Sequence, residues 1–198
     1  DIKYLVIPIE KIYMRYIKDL SPIFDGDHHW DNTQENIQAR IRGTILMSYS
    51  NRKGALLLNT SNKSELAMGY GTLYGDLSGA LMVIADIYKT QVYDLANHIN
   101  KNSVIIPVST ITKAPSAELR PDQKDTDSLP EYSVLDPVLH SLIEEGKTKE
   151  ELIKEGVDSA LIDKILTLKA RSAFKAHQMA PVIKISNKPL LDQYKWVK

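Results

Sequence analysis

Apolar residues in the first half of the chain form strand-like runs and helix-like repeats. The run at residues 4–9, Tyr-Leu-Val-Ile-Pro-Ile, predicts a strand buried on both faces, and residues 10–20 predict a helix. That helix takes its apolar positions from Ile12, Met14, Tyr16 and Ile17. Residues 33–51 predict a second helix, capped by Thr33 and with Glu35 in its first turn. Its buried stripe recurs every four residues, at Ile37, Ile41, Ile45 and Tyr49.

The stretch 55–65 predicts a strand, a short polar turn and the start of a helix. Ala-Leu-Leu-Leu at 55–58 is typical of a buried parallel strand. Asn-Thr-Ser-Asn follows, and Ser61 predicts a helix N-cap with Glu65 in the first turns. Open α/β sheets bind ligands beyond the carboxyl ends of their strands, and helix N-termini attract phosphate. The stretch is therefore either a nucleotide site or an ordinary connection between a strand and a helix.

The second half of the chain is mostly helical in its pattern. Residues 81–84 are apolar, and a helix follows Lys89 through Val92, Leu95, Ala96 and Ile99. Residues 112–132 form a polar stretch without periodicity, which at this length is typical of a functional or disordered loop. Helices are predicted at 136–145, 148–155 and 159–176, Pro181 ends the last of them, and 182–185 predicts a short strand.

Composition limits the class of protein. The 198 residues are enough for one core, so we expect a single domain over 1–198. Lys and Arg together number 25, as do Asp and Glu, which gives no electrostatic reason to expect nucleic-acid binding. The chain has no cysteine, which excludes disulfides and thiolate chemistry and is consistent with a cytoplasmic protein. No apolar stretch approaches the roughly 20 residues that a membrane span needs.

Three groups of residues are candidates for ligand chemistry. Asn36 and Arg40 lie one turn apart on a predicted helix, where an amide and a guanidinium hold a polar anion or simply form a solvated flank. Lys89 at the start of its helix can reach a phosphate beside free backbone N–H groups, or is a surface lysine. Residues 68–76 contain three glycines and two tyrosines, which allow close backbone approach to a ligand and offer flat aromatic faces.

Two short motifs resemble known binding sites but do not predict one. The Gly-x-Gly at 69–71 is not followed by a helix pattern or by a third glycine at the right spacing, so it does not match a dinucleotide-binding fingerprint. Asp27, His28, His29 and Asp31 resemble a metal cluster in composition only. Adjacent histidines point in different directions, and nothing in the spacing fixes a ligand geometry.

Six short segments together resemble the synthetase domain of NAD synthetases, most closely the large glutamine-dependent type. They are Glu-Asn-Ile-Gln-Ala-Arg-Ile-Arg at 35–42, Asn-Thr-Ser-Asn-Lys-Ser-Glu at 59–65, Tyr-Gly-Asp at 74–76 with Gly79-Ala80, Tyr-Lys-Thr-Gln-Val at 88–92, Pro-Ser-Ala-Glu-Leu at 115–119 with Gln123 and Asp127, and Phe174-Lys175 with Gln178 and Pro181. Each is weak alone, but their order over most of the chain is specific. The resemblance implies an α/β fold: a Rossmann-like parallel sheet with flanking helices, similar to adenine nucleotide alpha hydrolases, and a helical C-terminal part.

The resemblance also implies an activity. Members of the family bind ATP, magnesium and deamido-NAD, adenylate the nicotinate carboxylate and release pyrophosphate, after which ammonia displaces AMP. By analogy, Glu65 and Lys89 are the catalytic candidates: Glu65 holds magnesium or deamido-NAD, and Lys89 contacts ATP. The other implied contacts are Asn36 and Arg40 with deamido-NAD, Thr60 and Ser116 with ATP, Tyr70, Gly71, Thr72 and Leu73 around the nicotinate ring, and Lys175 closing the deamido-NAD site.

Two departures qualify the resemblance. The family's phosphate loop, Ser-Gly-Gly-x-Asp-Ser, is absent from the sequence, and a glutaminase domain is also absent. We therefore expect the C-terminal portion of a synthetase domain, truncated at its N-terminus, inactive alone and part of at least a dimer. Leu73 replaces a lysine that the small ammonia-dependent enzymes tend to carry, which favours the large type. The alternatives are another amidating ATP pyrophosphatase, acting on a purine nucleotide, and a non-catalytic module that binds deamido-NAD or mediates assembly.

Overall fold

The computed structural model describes residues 3–24 and 29–190, which form an α/β fold with many helices around a small parallel sheet. In chain order the elements are α1 (Glu10–Leu20), α2 (Asn32–Lys53), β1 (Leu58–Asn59), α3 (Lys63–Met68), β2 (Leu81–Met82), α4 (Lys89–Ile99), α5 (Val108–Thr112), α6 (Tyr132–His140), α7 (Lys149–Lys154) and α8 (Ser159–Ser172). Short 3-10 turns lie at Ser21–Phe24, Asp125–Asp127 and Ala173–Gln178, and α6 continues into a π turn at Ser141–Glu145.

The two strands pair in parallel, with Leu58 opposite Leu81 and Asn59 opposite Met82. The predicted strand at 55–58 is thus shorter and later in the chain than expected, and Leu56 is 77% exposed because no element of the described residues covers it. The strand predicted at 182–185 is reduced to a single parallel bridge between Val182 and Met82. Its Ile185 and Ser186 N–H groups donate to the Asp86 carboxylate instead of to a strand.

The predicted strand at 4–9 is wrong. This segment has no regular secondary structure, and Tyr4 and Val6 are 84% and 80% exposed. A strand needs a neighbour to satisfy its backbone N–H and C=O groups, and in the part of the chain that the structure describes no strand lies beside it. The helix at 10–20 is confirmed as α1, but none of its residues is buried.

Helix α2 forms where the pattern predicts it, but with a different cap. The Asp31 side chain, not Thr33, is the N-cap: it accepts a hydrogen bond from Thr33 N at 2.6 Å, and Asp31 N donates to Gln34 Oε1 at 2.9 Å. Ile37 and Ile41 are buried. The predicted stripe ends there, because the core covers only the N-terminal half of α2 and leaves Tyr49 46% exposed.

A tight approach brings α2 against the turn at 74–75. A Cβ atom on Gly43 would lie 2.9 Å from the Tyr74 carbonyl oxygen, and one on Gly75 would lie 2.9 Å from the Ala39 backbone. Contacts this short are not tolerated between a real Cβ and backbone, so both positions need glycine. This packing places the segment 69–76 alongside α2.

Helices α3, α4, α6, α7 and α8 surround the main core. Its fully buried members are Leu135, Leu139, Leu152, Ile162 and Ile165. The three predicted C-terminal helices are confirmed with shifted bounds, since α6 begins at Tyr132 and α8 ends at Ser172. This core fixes the N-terminal ends of α3 and α4 relative to each other, and those two ends carry Glu65 and Lys89.

Candidate functional site

A cleft of about 790 Å³ lies between α2, the N-terminal ends of α3 and α4, and the loop at 112–132. Nine of the eleven predicted site residues line it: Asn36, Thr60, Glu65, Tyr70, Gly71, Thr72, Lys89, Ser116 and Lys175. Arg40 and Leu73 do not. They contact each other through a 3.3 Å hydrogen bond from Arg40 Nε to the Leu73 carbonyl, and Arg40 is exposed. The cleft thus brings together residues from opposite ends of the chain.

Glu65 and Lys89 form an ion pair in the wall of the cleft. Lys89 Nζ lies 3.3 Å from Glu65 Oε1, and both side chains are less than one-fifth exposed. Burial raises the pKa of Glu65, and the charge of Lys89 opposes that rise. The Lys89 ammonium also lies 5.6 Å from the ring centre of Tyr132 and 5.9 Å from that of Tyr93. Packing therefore holds the ammonium in place before any ligand binds.

The second oxygen of Glu65 is held by its own helix. Asn62, not the predicted Ser61, is the N-cap of α3: its Oδ1 accepts from Glu65 N at 3.0 Å, while Asn62 N donates to Glu65 Oε2 at 3.0 Å. This reciprocal arrangement is a capping box. It leaves Oε1 as the oxygen of Glu65 that faces Lys89.

The expectation of free backbone N–H groups beside Lys89 is wrong. Lys89 N donates to Ser64 Oγ at 2.9 Å, and Thr90 N donates to Asp136 Oδ2 at 2.8 Å. Asp136 is 4% exposed and also accepts from the Ser64 and Thr90 hydroxyls, at 2.6 and 2.8 Å. The carboxylate of Asp136 thus already occupies the N-terminus of α4, where the helix dipole stabilises a negative charge. A ligand in the cleft meets the Lys89 side chain rather than the helix end.

The segment 69–72 is held by contacts from both ends of the chain. Lys175 Nζ donates to the Gly69 and Gly71 carbonyls at 2.7 and 2.6 Å, and burial lowers the pKa of Lys175. Thr72 Oγ1 donates to Asn36 Oδ1 at 2.6 Å. A Cβ on Gly71 would lie 2.7 Å from the Leu77 side chain, so packing as well as ligand approach favours glycine there.

The loop at 112–132 covers one side of the cleft. It is irregular apart from the turn Asp125–Asp127, as its lack of periodicity predicts. Side chains of α2 hold it: Gln38 Nε2 donates to the Leu119 carbonyl at 2.9 Å and Arg42 to the Glu118 carbonyl at 3.1 Å. Ser116 Oγ accepts from Glu118 N at 3.1 Å within the loop.

Sequence reasoning missed several residues of the lining. They include Arg42, Ser61, Asp76, Arg120 and Asp125. The sequence did hold a signal for Asp125, because three acidic residues lie close together in the polar loop, at 122, 125 and 127. This cluster identifies the region but does not identify which of the three acids is buried.

The structure describes only part of the histidine-rich segment. Asp27 and His28 lie outside the described residues, and Asp31 acts as the cap of α2. Across residues 3–24 and 29–190, no group of three or more His, Asp or Glu side chains is placed to hold a metal ion. Within the same ranges, no helix is both long enough and apolar enough to cross a membrane.

Comparison with known proteins identifies relatives across most of the chain. The family model for NAD synthase matches residues 1–179. The chain is 48% identical to a glutamine-dependent NAD(+) synthetase of Synechocystis sp., over 92% of this chain and 32% of that protein. It is 45% identical to the same enzyme of Acinetobacter baylyi, over 92% and 34%. The chain spans about a third of the length of the curated relatives it matches.

Solved structures agree with the sequence matches. Glutamine-dependent NAD+ synthetase from Acinetobacter baumannii, in complex with ADP, is 39% identical with a TM-score of 0.51, over 91% of this chain and 32% of that one. NMN synthetase from Francisella tularensis, at 24% identity and a TM-score of 0.71 over 96% and 68% of the two chains, shares the fold.

Proposed function

The chain belongs to the NAD synthase family, and we propose that within its full-length protein it carries the ATP-dependent amidation of deamido-NAD to NAD. The observation that supports this most is the cleft, which gathers nine of the eleven residues that the family resemblance selects. In the proposed reaction, the nicotinate carboxylate attacks the α-phosphorus of ATP and pyrophosphate leaves. Ammonia then attacks the acyl carbon of the adenylate, and AMP leaves as the amide forms.

We assign the ATP phosphates to the part of the cleft around Lys89. A phosphate oxygen can replace Glu65 as the partner of the Lys89 ammonium, whose 3.3 Å separation from Glu65 Oε1 is loose for an ion pair. Ser116 supplies a hydroxyl from the loop, and Thr60 follows directly after β1. The role of these groups is positioning and charge stabilisation, because the attacking and leaving groups both belong to substrates.

Glu65 is the residue that we expect to hold magnesium. The donor set fits the ion, because the partly buried Glu65 carboxylate lines the cleft and its Oε1 pairs, among the described residues, with Lys89 alone, and magnesium is commonly held by one or two carboxylates together with substrate phosphates. When bound, the ion neutralises charge on the triphosphate. Lys89 would then bind a phosphate oxygen in place of its present pairing with Glu65 Oε1.

We assign deamido-NAD to the other part of the cleft, between α2 and the segment 69–72. The Asn36 amide and the Tyr70 ring face this part, and Lys175 fixes the backbone that forms its wall. Arg40 and Leu73 bond to each other away from the lining. We therefore propose that they stabilise the wall, in place of the direct contacts that the family resemblance implies.

Ammonia and partner chains come from beyond these 198 residues in the proposal. The matched relatives are glutamine-dependent, and this chain spans about a third of their length. We propose that a glutaminase domain supplies the ammonia in the full-length protein. We also propose a homodimer at least, because α1 and the segment before it expose Tyr4, Val6, Met14 and other apolar side chains that a second copy can cover.

The test is product formation by the full-length protein. With ATP, deamido-NAD, magnesium and either glutamine or ammonia, we expect equal amounts of NAD, AMP and pyrophosphate. Deamido-NAD labelled with ¹⁸O in its carboxylate should place one ¹⁸O in the AMP. ADP and phosphate as products, turnover of a purine nucleotide in place of deamido-NAD, or binding without turnover would each contradict the proposal.

A further inference from the structure

Lys63, the first residue of α3, is a charged side chain with no exposed surface. Its ammonium lies 3.0 Å from Asp86 Oδ1 and 2.8 Å from Glu144 Oε1. It also donates to Ser186 Oγ at 3.0 Å and to the Lys188 carbonyl at 3.1 Å. Burying a charge is costly unless such partners replace its hydration. The proposed reaction uses none of these groups, so this network needs its own explanation.

Lys63 contacts three consecutive residues of the connection that leads from β2 into α4. Its ammonium pairs with Asp86, and its backbone N–H donates to the Ile87 carbonyl at 2.9 Å. The ammonium also lies 4.9 Å from the ring centre of Tyr88. Tyr88 is the N-cap residue of α4, and Lys89 follows it directly. Lys63 therefore joins the start of α3 to the residues immediately before Lys89.

Other parts of the chain anchor the same network from the far side. Glu144 lies in the π turn that continues α6, and Ser186 lies in the segment that follows the bridge to β2. The Asp86 carboxylate accepts from Ile185 N at 2.7 Å, and from Ser186 N and Oγ at 2.6 and 2.8 Å. Burial raises the pKa of Asp86, but these hydrogen bonds outweigh it and hold the pKa below its ordinary value. Asp86 therefore keeps these donors when Lys63 is replaced.

Helix α3 is short enough to depend on such an anchor. It has six residues, and a helix of that length is not stable without tertiary contacts. Glu65 lies two positions after Lys63, and its Oε1 is 3.3 Å from Lys89 Nζ. A shift of the connection at 86–88 relative to α3 would change this separation and displace the Lys89 ammonium within the cleft.

We propose that Lys63 is a positioning residue for the synthetase reaction: it holds the connection at 86–88 against α3 from behind the cleft and thereby places Lys89 for the ATP phosphates. Because its side chain has no exposed surface, Lys63 touches no ligand and acts through Lys89. The assignment rests on the proposed function for the identity of the ligand. A misplacement of about 1 Å can slow a reaction by about 100-fold.

The test uses the full-length protein and a variant in which charge is balanced. Lys63→Met alone leaves Asp86 and Glu144 without the cation between them, so it does not separate lost positioning from lost folding. Lys63→Met combined with Glu144→Gln removes one cation and one anion, which leaves the formal charge of the cluster unchanged. We expect this double variant to melt near the wild-type temperature.

The expected kinetic effect of the double variant is confined to one substrate. At a temperature where both proteins are folded, kcat/KM for ATP should fall by about 10- to 100-fold, and amide exchange at residues 86–90 should accelerate. The KM for deamido-NAD should stay unchanged, because Lys175 holds the wall at 69–72 independently of Lys63.

Glu144→Gln alone is the matched control, because glutamine still offers an oxygen to the Lys63 ammonium and the pairing with Asp86 remains. Its kcat/KM for ATP should equal that of the wild type. A folded double variant with the wild-type kcat/KM for ATP, or with equal losses for both substrates, means that Lys63 only stabilises the fold and overturns the proposal.

Failure of the proposed function gives a different result. If the wild-type protein forms no NAD, the proposed function fails, and calorimetric binding of ATP to the wild type and the double variant then decides the role of Lys63. Weaker ATP binding with faster amide exchange at residues 86–90 in the double variant supports the positioning role. Equal affinity and equal exchange overturn it.

Discussion

Asp136→Asn tests whether the buried carboxylate behind the cleft fixes the Glu65–Lys89 pair. Asp136 joins the two helices that carry the pair, because it accepts from Ser64 Oγ next to Glu65 and from Thr90 N next to Lys89. Asparagine has nearly the same shape, but one of its two acceptor oxygens becomes an NH₂ donor. With the amide in one orientation the Ser64 hydroxyl loses its acceptor, and in the other the Thr90 N–H does.

The magnitude follows from the bonds that are lost. Asp136 and Ser64 are 4% and 0% exposed, so water does not replace a missing partner. A hydrogen bond to a charged group contributes about 1.5–3 kcal/mol, and a negative charge at a helix N-terminus contributes about 0.3–1 kcal/mol more. We expect the first turn of α4 to lose about 2–4 kcal/mol of local stability. Amide exchange of residues 88–92 should therefore accelerate by about 30-fold or more.

The assay is hydrogen exchange by mass spectrometry on the full-length protein, combined with steady-state kinetics. We expect kcat/KM for ATP to fall by about 10-fold or more, because Lys89 is no longer held in place, while the KM for deamido-NAD stays unchanged. Asp158→Asn, at the N-cap of α8, is the control, since asparagine caps a helix as well as aspartate. Unchanged exchange at 88–92, or equal losses for both substrates, would refute the reasoning.

Three further predictions concern the cleft and the chain. Glu65→Gln in the full-length protein should lower kcat by about 100-fold, on the scale of losing one charge-stabilising group; normal rate and magnesium dependence would exclude Glu65 from the site. The loop at 112–132 should gain protection from proteolysis and amide exchange when ATP and deamido-NAD bind, and Ser116→Ala should impair ATP use more than deamido-NAD binding; equal protection with and without substrates would make the loop a fixed connection. Purified residues 1–198 should form no NAD from ATP, deamido-NAD and ammonia, since their sequence holds no Ser-Gly-Gly-x-Asp-Ser motif; turnover by this chain alone would refute that.

The periodicity of apolar residues predicts the helices correctly, but it does not predict the structure of the apolar run at 4–9. The periodicity of α1, α2, α4 and α8 is visible in the sequence because each helix repeats its apolar positions over several turns. An apolar run such as 4–9 has no period of its own, so the sequence does not distinguish a buried strand from an exposed apolar segment. Only the neighbours of such a run decide, and the described residues provide none.

Helix caps show a finer limit. Thr33 and Ser61 are good cap residues, yet Asp31 and Asn62 take those positions. All four residues have side chains that suit an N-cap. The residue that acts as the cap is the one whose side chain accepts a hydrogen bond from the backbone N–H two or three residues later. Propensity alone therefore places a helix start to within a residue or two.

Family-like segments predicted which residues line the cleft, but the sequence did not predict the tertiary contacts between them. Glu65 and Lys89 each lie in a family-like segment, and the structure pairs them. Asp136 meets Thr90 from 46 positions away and belongs to no segment of the resemblance. Arg40 shows the opposite case, because its spacing from Asn36 suggests a shared ligand while its side chain bonds to Leu73. Sequence identifies residue types, but side-chain direction depends on the packed fold.

An experimental structure of the full-length protein with deamido-NAD and a non-hydrolysable ATP analogue is the most direct test of the central claim, that this cleft is the synthetase site. We predict that phosphate oxygens lie within hydrogen-bonding distance of Lys89 Nζ and Ser116 Oγ. The nicotinate ring should lie against the segment 69–72. Ligands bound elsewhere, with the Glu65–Lys89 ion pair intact and the cleft free of both substrates, would contradict the account.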